Sequence, residues 1–448
     1  MLEINYVRAI DGAITLPASS DLLLLSITAA CALKRQSHIS PVPQTPLHDS
    51  WITLFNDHCT ISQTEHSLLI DPITNASADF MLNRHDIPYR DVVVFAALGA
   101  GKTVQAQAFT PRETARITAI AALVGCQLQI ETGNGIIRLK IDTLPARLEN
   151  KKGSTAIEDT HALIGLAMGG RRTLELTLDH PFVSPLRELM PSFGCPITVS
   201  SNTPPKPTDP IARRIAAMQA KRNPTGQQFK LEADFSSVNN SSGVAITLPG
   251  DEVLASLLFT AKSLVQKGSL TIENIPLESW AVQNLQLIRK MGCKIGIQET
   301  TTTSFGSCGS IQLQRFTRIG RKIDCLPRTQ FEHQIPAMTI LAAFAEGQSV
   351  FRNCAYLRDE LPDGIYQITQ LLRSLDVRFG EMPDGFVLDG AKQYDGFDSQ
   401  DFFTAPLAGA AVIAALHCRG TSTINDQSLI ERWPTLSAIL SSICDFAE

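Results

Sequence analysis

The chain lacks the features that would assign it to several large classes. No apolar run approaches the ~18 residues that a membrane-crossing helix needs, although 44% of its 448 residues are hydrophobic. It has no excess of positive charge. Thirty-nine Lys and Arg stand against 44 Asp and Glu, a formal charge of −5, which argues against nucleic-acid binding by general basicity. None of the ten cysteines forms a C-x-x-C pair and none of the nine histidines an H-x-x-x-H pair, so zinc and thioredoxin-type chemistry lose their usual sequence signals. Cys59, Cys126, Cys195 and Cys293 mostly follow a Gly at the end of a helix-like run. A position repeated in this way reads as a small buried residue. Met1-Leu2-Glu3-Ile4-Asn5 lacks the basic-then-apolar pattern of a secretory leader, which leads us to expect a cytoplasmic protein.

What the chain does contain is repetition. Ala13-Ile14-Thr15-Leu16-Pro17 returns as Ala245-Ile246-Thr247-Leu248-Pro249. Each copy follows a nearby Gly, and each runs through a short polar stop into an apolar segment, Leu22–Leu33 and Val253–Val265. Duplication at the scale of a fold accounts for this better than chance.

A finer pattern occurs six times: an apolar helical segment, a turn, then alternating residues that predict a strand. The six helix-like segments begin near Leu22, Phe95, Ala162, Leu254, Ala337 and Pro406. A second, amphipathic segment follows each: Trp51–Asn56, Arg112–Val124, Leu186–Phe193, Trp280–Met291, Ile365–Leu375 and Pro434–Ile443. Such units cannot bury their apolar faces alone and must pack together. A chain of this length also exceeds one ordinary core. The expected division is one lobe of residues 1–14 with 243–448 and another of 15–242, the latter ending in a Pro-rich connector at about 202–242. A basic amphipathic piece, Ile211–Arg222, lies in that connector and reads as a solvated surface helix.

These residues resemble a family. Gly12-Ala13-Ile14-Thr15-Leu16-Pro17-Ala18-Ser19, Pro336-Ala337-Met338-Thr339-Ile340 with Ala345-Glu346-Gly347, and Phe351-Arg352-Asn353 followed by Arg358-Asp359-Glu360 are similar to segments of the enolpyruvyl transferases. Within that family they are nearest the 5-enolpyruvylshikimate-3-phosphate synthases. The resemblance implies a two-lobed, inside-out α/β barrel of six βαβαββ-like repeats, three per lobe around a pseudo-threefold axis. It also implies a cleft that closes on phosphoenolpyruvate and shikimate 3-phosphate.

Two strongly anionic substrates call for Lys and Arg in that cleft, and the reaction calls for acid–base groups. At the motif positions the chain departs from the pattern. Where the family carries Ser-Lys-Ser and then Arg, this chain has Ser19-Ser20-Asp21 and Leu25. The Gly-rich motif of the second unit falls at 83–90, where Arg90 matches but Asp86 and Pro88 interrupt the loop. Ile335 stands at the catalytic Asp position, Thr404-Ala405-Pro406-Leu407-Ala408 at the Asp-His-Arg-Met-Ala motif, and Glu431, beside Arg432, at the final Lys. Glu360 matches the family's Glu and is the catalytic candidate. The ligand-binding candidates are Ser19, Ser20, Asp21, Arg90, Arg112, Arg358 and Arg432, with no metal ligand. No Cys occurs between Ile61 and Val124, so the variant acting on UDP-N-acetylglucosamine, with its reactive Cys, fits less well.

Other motifs have ordinary readings. Gly99-Ala100-Gly101-Lys102-Thr103 resembles the end of a phosphate-binding loop, but Ala96 replaces its first Gly and the following residues alternate like a strand. Arg112 and Arg116 share a helix face, suited to holding an anion or facing solvent. His161 and His333 read as structural. Glu158-Asp159-Thr160 fills the place of the family's Ser-Ser-Gln and would repel a phosphorylated ligand. The expectation is therefore a diverged synthase-like protein whose enolpyruvyl transfer is lost or altered. The alternatives are an active carboxyvinyltransferase with substitute basic residues, and a non-catalytic scaffold or regulatory subunit. No cofactor is called for. The partners this admits are a small molecule in the interlobe cleft or another protein, with neither nucleic acid nor membrane.

Overall fold

The computed structural model describes residues 2–73, 77, 79–82, 87–106, 109–133, 136–150, 155–201, 228–238, 243–277, 285, 288–289, 292, 294–313, 318–325, 331–359, 363–391, 393–399, 404–425 and 427–446. Most of the Pro-rich connector, the Ile211–Arg222 piece and most of Trp280–Met291 lie outside them.

Six inner helices carry the fold: α1 (Ser20–Leu33), α2 (Arg90–Gly99), α3 (Ile157–Gly170), α4 (Glu252–Leu264), α5 (Ile335–Ala343) and α6 (Ala405–Ala415). α1 to α3 pack on one another in one lobe, and α4 to α6 in the other. They are apolar on nearly every face, as a helix enclosed on all sides must be. In α4, α5 and α6 every residue is buried. Two hydroxyls enclosed in α1 bond back to their own helix, Ser26 to the Leu22 carbonyl and Thr28 to that of Leu24, each at 2.8 Å, which satisfies both donors without a partner from outside. α2 and α3 approach so closely that a Cβ on Gly165 would lie 2.6 Å from the Val92 carbonyl oxygen, and one on Gly169 would overlap that of Ala96.

The outer helices are amphipathic, as their spacing predicts. Pro111–Leu123 opens with a capping box between Thr110 and Glu113. Gly364–Ser374 buries one face and opens with the Asp363 side chain as its cap.

Five four-stranded sheets share one plan: a parallel pair, then two antiparallel neighbours. Asp79–Leu82, Thr103–Ala106, Ile136–Ile141 and Leu128–Gly133 form one such sheet. The sixth unit draws on both ends of the chain. Leu2–Ile4 pairs with Ser422–Ile424, and Val7–Ile10 with Cys444–Phe446. Thr103–Ala106 being a strand, the Gly-Lys-Thr segment is a turn from helix into strand, whereas a phosphate loop leads into a helix.

The repeated pentapeptides form β1 (Gly12–Thr15) and β2 (Val244–Thr247). Each sits in one lobe and leads into a helix of the other. β1 runs parallel to Leu270–Pro276 while α1, which follows it, fills the opposite core. β2 runs parallel to Ser37–Ser40 while α4 fills the core that holds Ile14 and Leu16. The chain thus passes between cores at Pro17 and again between Leu248 and Val253.

Candidate functional site between the lobes

The two crossings lie side by side. Ala18 and Gly250 form an antiparallel bridge. The Ser19 N–H donates to the Pro249 carbonyl at 3.0 Å, and the Asp251 N–H to the Pro17 carbonyl at 2.9 Å. Each proline, lacking an N–H, contributes the acceptor it still has. This closeness leaves no room at position 250: a Cβ there would lie 2.5 Å from both the Leu16 Cβ and the Asn274 carbonyl oxygen.

Both crossings end on an aspartate at a helix N-terminus, where the macrodipole favours negative charge. At the first, Ser19 caps α1 by accepting from the Leu22 N–H at 3.3 Å, and Ser20 shares a 3.4 Å hydrogen bond with Thr45. Asp21, one residue further, receives Arg432 at 2.6 Å. The side chains are only 3% and 8% exposed. At the second crossing, Asp251 caps α4, accepting from the Val253 and Leu254 N–H groups at 2.9 and 3.0 Å. Its other oxygen accepts from the Trp433 indole at 3.0 Å and lies 3.8 Å from Arg432. The guanidinium also stacks over the Trp433 ring, 5.0 Å from its centre. One arginine therefore lies against two buried carboxylates, each from a different crossing. A charge withdrawn from water is tolerated only when paired in this way.

Of the remaining sequence candidates, the described ones are placed elsewhere or engaged locally. Arg90, the first residue of α2, donates to Glu113 at 2.5 Å and lies over the Phe109 ring. Arg358 is held by Asp363 at 3.0 Å and Glu381 at 2.8 Å, and also donates to main-chain carbonyls of 382 and 383. Arg112 is exposed on its outer helix, whereas Arg116, on the same face, meets Asp91 at 2.7 Å and Asp159 at 3.9 Å. The shared face of Arg112 and Arg116 thus divides between solvent and two inner-helix acids. Glu360, residues 83–86 and the side chain of Glu158 lie outside the described residues. His161 bonds the Ser184 carbonyl at 3.1 Å, and burial pushes its pKa down to about 4, so it sits in the core as a neutral ring.

Sequence reasoning missed Asp251, Trp433 and Thr45. A signal was present for Asp251: each pentapeptide is followed by an acid just before or within the first turn of the next helix. Nothing local marks Thr45 or the Trp433 indole.

The arrangement can neutralise and orient Arg432. An anion entering beside that guanidinium would meet Asp21 and Asp251 already there, and like charges at this range oppose each other. Three inner helices of the first lobe carry acids in their first turn, Asp21, Asp91 and Asp159. The positive helix ends, which would otherwise attract an anion, are thereby offset from within.

Comparison with known proteins places this geometry in context. The family model described as EPSP synthase (3-phosphoshikimate 1-carboxyvinyltransferase) matches residues 212–437, just over half of the chain. The 3-phosphoshikimate 1-carboxyvinyltransferase of Acaryochloris marina is 26% identical over 183 residues, 41% of this chain and 41% of that protein. That of Solibacter usitatus is 28% identical over 203 residues, 44% of this chain and 48% of that protein. The match thus spans less than half the length of these relatives. Among solved structures, the EPSP synthase from Acinetobacter baumannii superposes with a TM-score of 0.69 at 14% identity, covering 100% of this chain and 99% of that one. The enolpyruvyl transferase NikO from Streptomyces tendae gives 0.70 at 15% identity, covering 99% and 98%. At such identities the structural likeness is one of fold: two lobes, with the helices inside.

Proposed function

The chain belongs to the EPSP synthase (3-phosphoshikimate 1-carboxyvinyltransferase) family, and from that premise we propose that it is a diverged member. In it, transfer of enolpyruvyl from phosphoenolpyruvate to shikimate 3-phosphate is lost or altered. The reaction brings two multiply charged anions together, so its cleft must offer cations with no counter-charge of their own. The observation that carries the reading is the Asp21–Arg432 pair at 2.6 Å. Arg432 is the cation nearest the family's final Lys position, and the protein itself supplies its anion. Arg90 and Arg358 are also engaged by carboxylates, which weighs against an active enzyme using substitute basic residues. Such a cleft suits a ligand of lower negative charge than the family's substrate pair.

The deciding experiment is a turnover assay on the pure protein with both substrates, alongside calorimetry with each. We expect no enolpyruvyl product and no saturable binding of shikimate 3-phosphate at millimolar concentration. Product formed in proportion to enzyme would overturn the reading.

A further inference from the structure

We propose that the Asp21–Arg432 pair is a latch that holds the two lobes together without help from a substrate. Asp21 opens α1 of the first lobe, and Arg432 ends the helix Gln427–Arg432, which packs on α6 of the second lobe and also reaches the first-lobe helix Pro46–Phe55. The bond therefore spans the lobe boundary between residues 411 positions apart. A cleft that closes on anions needs those anions to neutralise the cations lining it. Here the Asp21 carboxylate occupies that electrostatic role from inside the chain, so closure carries no requirement for an external charge.

Further contacts cross the boundary. The crossings are joined by their reciprocal main-chain bonds. At the tip of the hairpin between Ile295–Thr303 and Gly306–Leu313, the Ser304 N–H donates to the Thr247 carbonyl and the Ser304 hydroxyl accepts from the Thr247 N–H at 3.0 Å. Phe305, beside it, is buried in the core of the opposite lobe, and Phe182 returns the contact in the other direction. Near the crossings, then, apolar anchors and backbone bonds fix the lobes. Asp21–Arg432 adds the charged contact at the position where the family's ligands would bind. Asp251 and Trp433 keep the guanidinium aimed at Asp21 by holding its other face.

The latch deepens the functional reading but can fail separately from it, because its test reads lobe separation and not turnover. Small-angle X-ray scattering on the full chain would compare native protein, Asp21→Ala, and the charge reversal Asp21→Arg with Arg432→Asp, each with and without phosphoenolpyruvate plus shikimate 3-phosphate. The native curve is expected to match the one calculated from this structure and to stay unchanged on adding the substrates. Asp21→Ala is expected to raise the radius of gyration and the maximum dimension, and the reversal, which restores an opposite-charge pair across the boundary, to lower both again, though short of the native values because the carboxylate then at position 432 faces Asp251. A native curve that starts expanded, or that contracts on adding the substrates, overturns the proposal. So does an Asp21→Ala protein as compact as the native one. Should that variant fail to fold, the native curve and the reversal still decide.

Discussion

The two crossings share a pentapeptide, a bend and an aspartate, yet the aspartates serve different ends. Asp251 turns inward: one oxygen caps its own helix and the other takes the Trp433 indole, all within one lobe. Asp21 sits past its cap, since Ser19 already serves the helix, and its carboxylate is directed to the opposite lobe. A shift of two positions relative to the helix start separates a capping residue from a bridging one. Duplication supplied the backbone, and the position of the acid on it determined what each copy holds.

Removing the arginine tests this comparison most severely. Arg432→Ala would leave two carboxylates buried beside each other, and we expect a loss of about 3–5 kcal/mol in unfolding free energy, read from urea titration. A loss below about 1 kcal/mol would mean that the pair is solvated in solution. The crossings' backbone comes next. Gly250→Ala forces a Cβ against Leu16 and Asn274 and should cost about 1–3 kcal/mol, whereas Ala18→Gly, at the matching place, should cost about 0.5–1 kcal/mol. Equal costs would show that the two crossings are not as asymmetric as their contacts. The caps follow. Asp251→Ala loses both a cap and the Trp433 bond, about 2 kcal/mol together. Ser19→Ala loses one cap bond, about 1 kcal/mol. Reversal of that order in thermal melts would contradict the assignment of two jobs to Asp251.

A pH-dependent test, silent at neutral pH, takes one buried histidine from each lobe. Burial pushes the pKa of His161 down to about 4 and that of His417 to about 3. Both stay neutral in the folded chain and titrate near ~6.5 when it unfolds. Their contribution is therefore intact above about pH 6.5 and is lost as pH falls toward 4, because the unfolded chain then binds more protons. Replacing His161 with Gln should flatten the pH dependence of stability by about 1.4 kcal/mol per pH unit in that window. An unchanged slope would mean that His161 protonates in place.

Much of the architecture was legible because it is local. A long apolar run such as Leu22–Leu33 or Ala405–Ala415 reads as an enclosed helix, and an amphipathic partner such as Gly364–Ser374 as one lying outside it. The site was less legible. Asp21 and Arg432 were both singled out, but as separate residues facing a ligand, and Asp251 went unremarked. Arg90 and Arg358 looked available for a substrate until Glu113, Asp363 and Glu381 were found against them. A sequence displays how many charges a chain has, whereas the partner of each depends on contacts many residues away.

By itself, then, the sequence determined the repeated units and the choice of inner and outer helices. Each follows from side-chain chemistry within a few turns of chain. Only the tertiary structure decided that β1 and β2 cross into opposite lobes and that the first residues complete the sixth unit. It also decided that one arginine meets two aspartates at the crossings. Those outcomes depend on bringing residues as far apart as 21 and 432 to 2.6 Å in a place closed to water, where an unpaired charge could not remain.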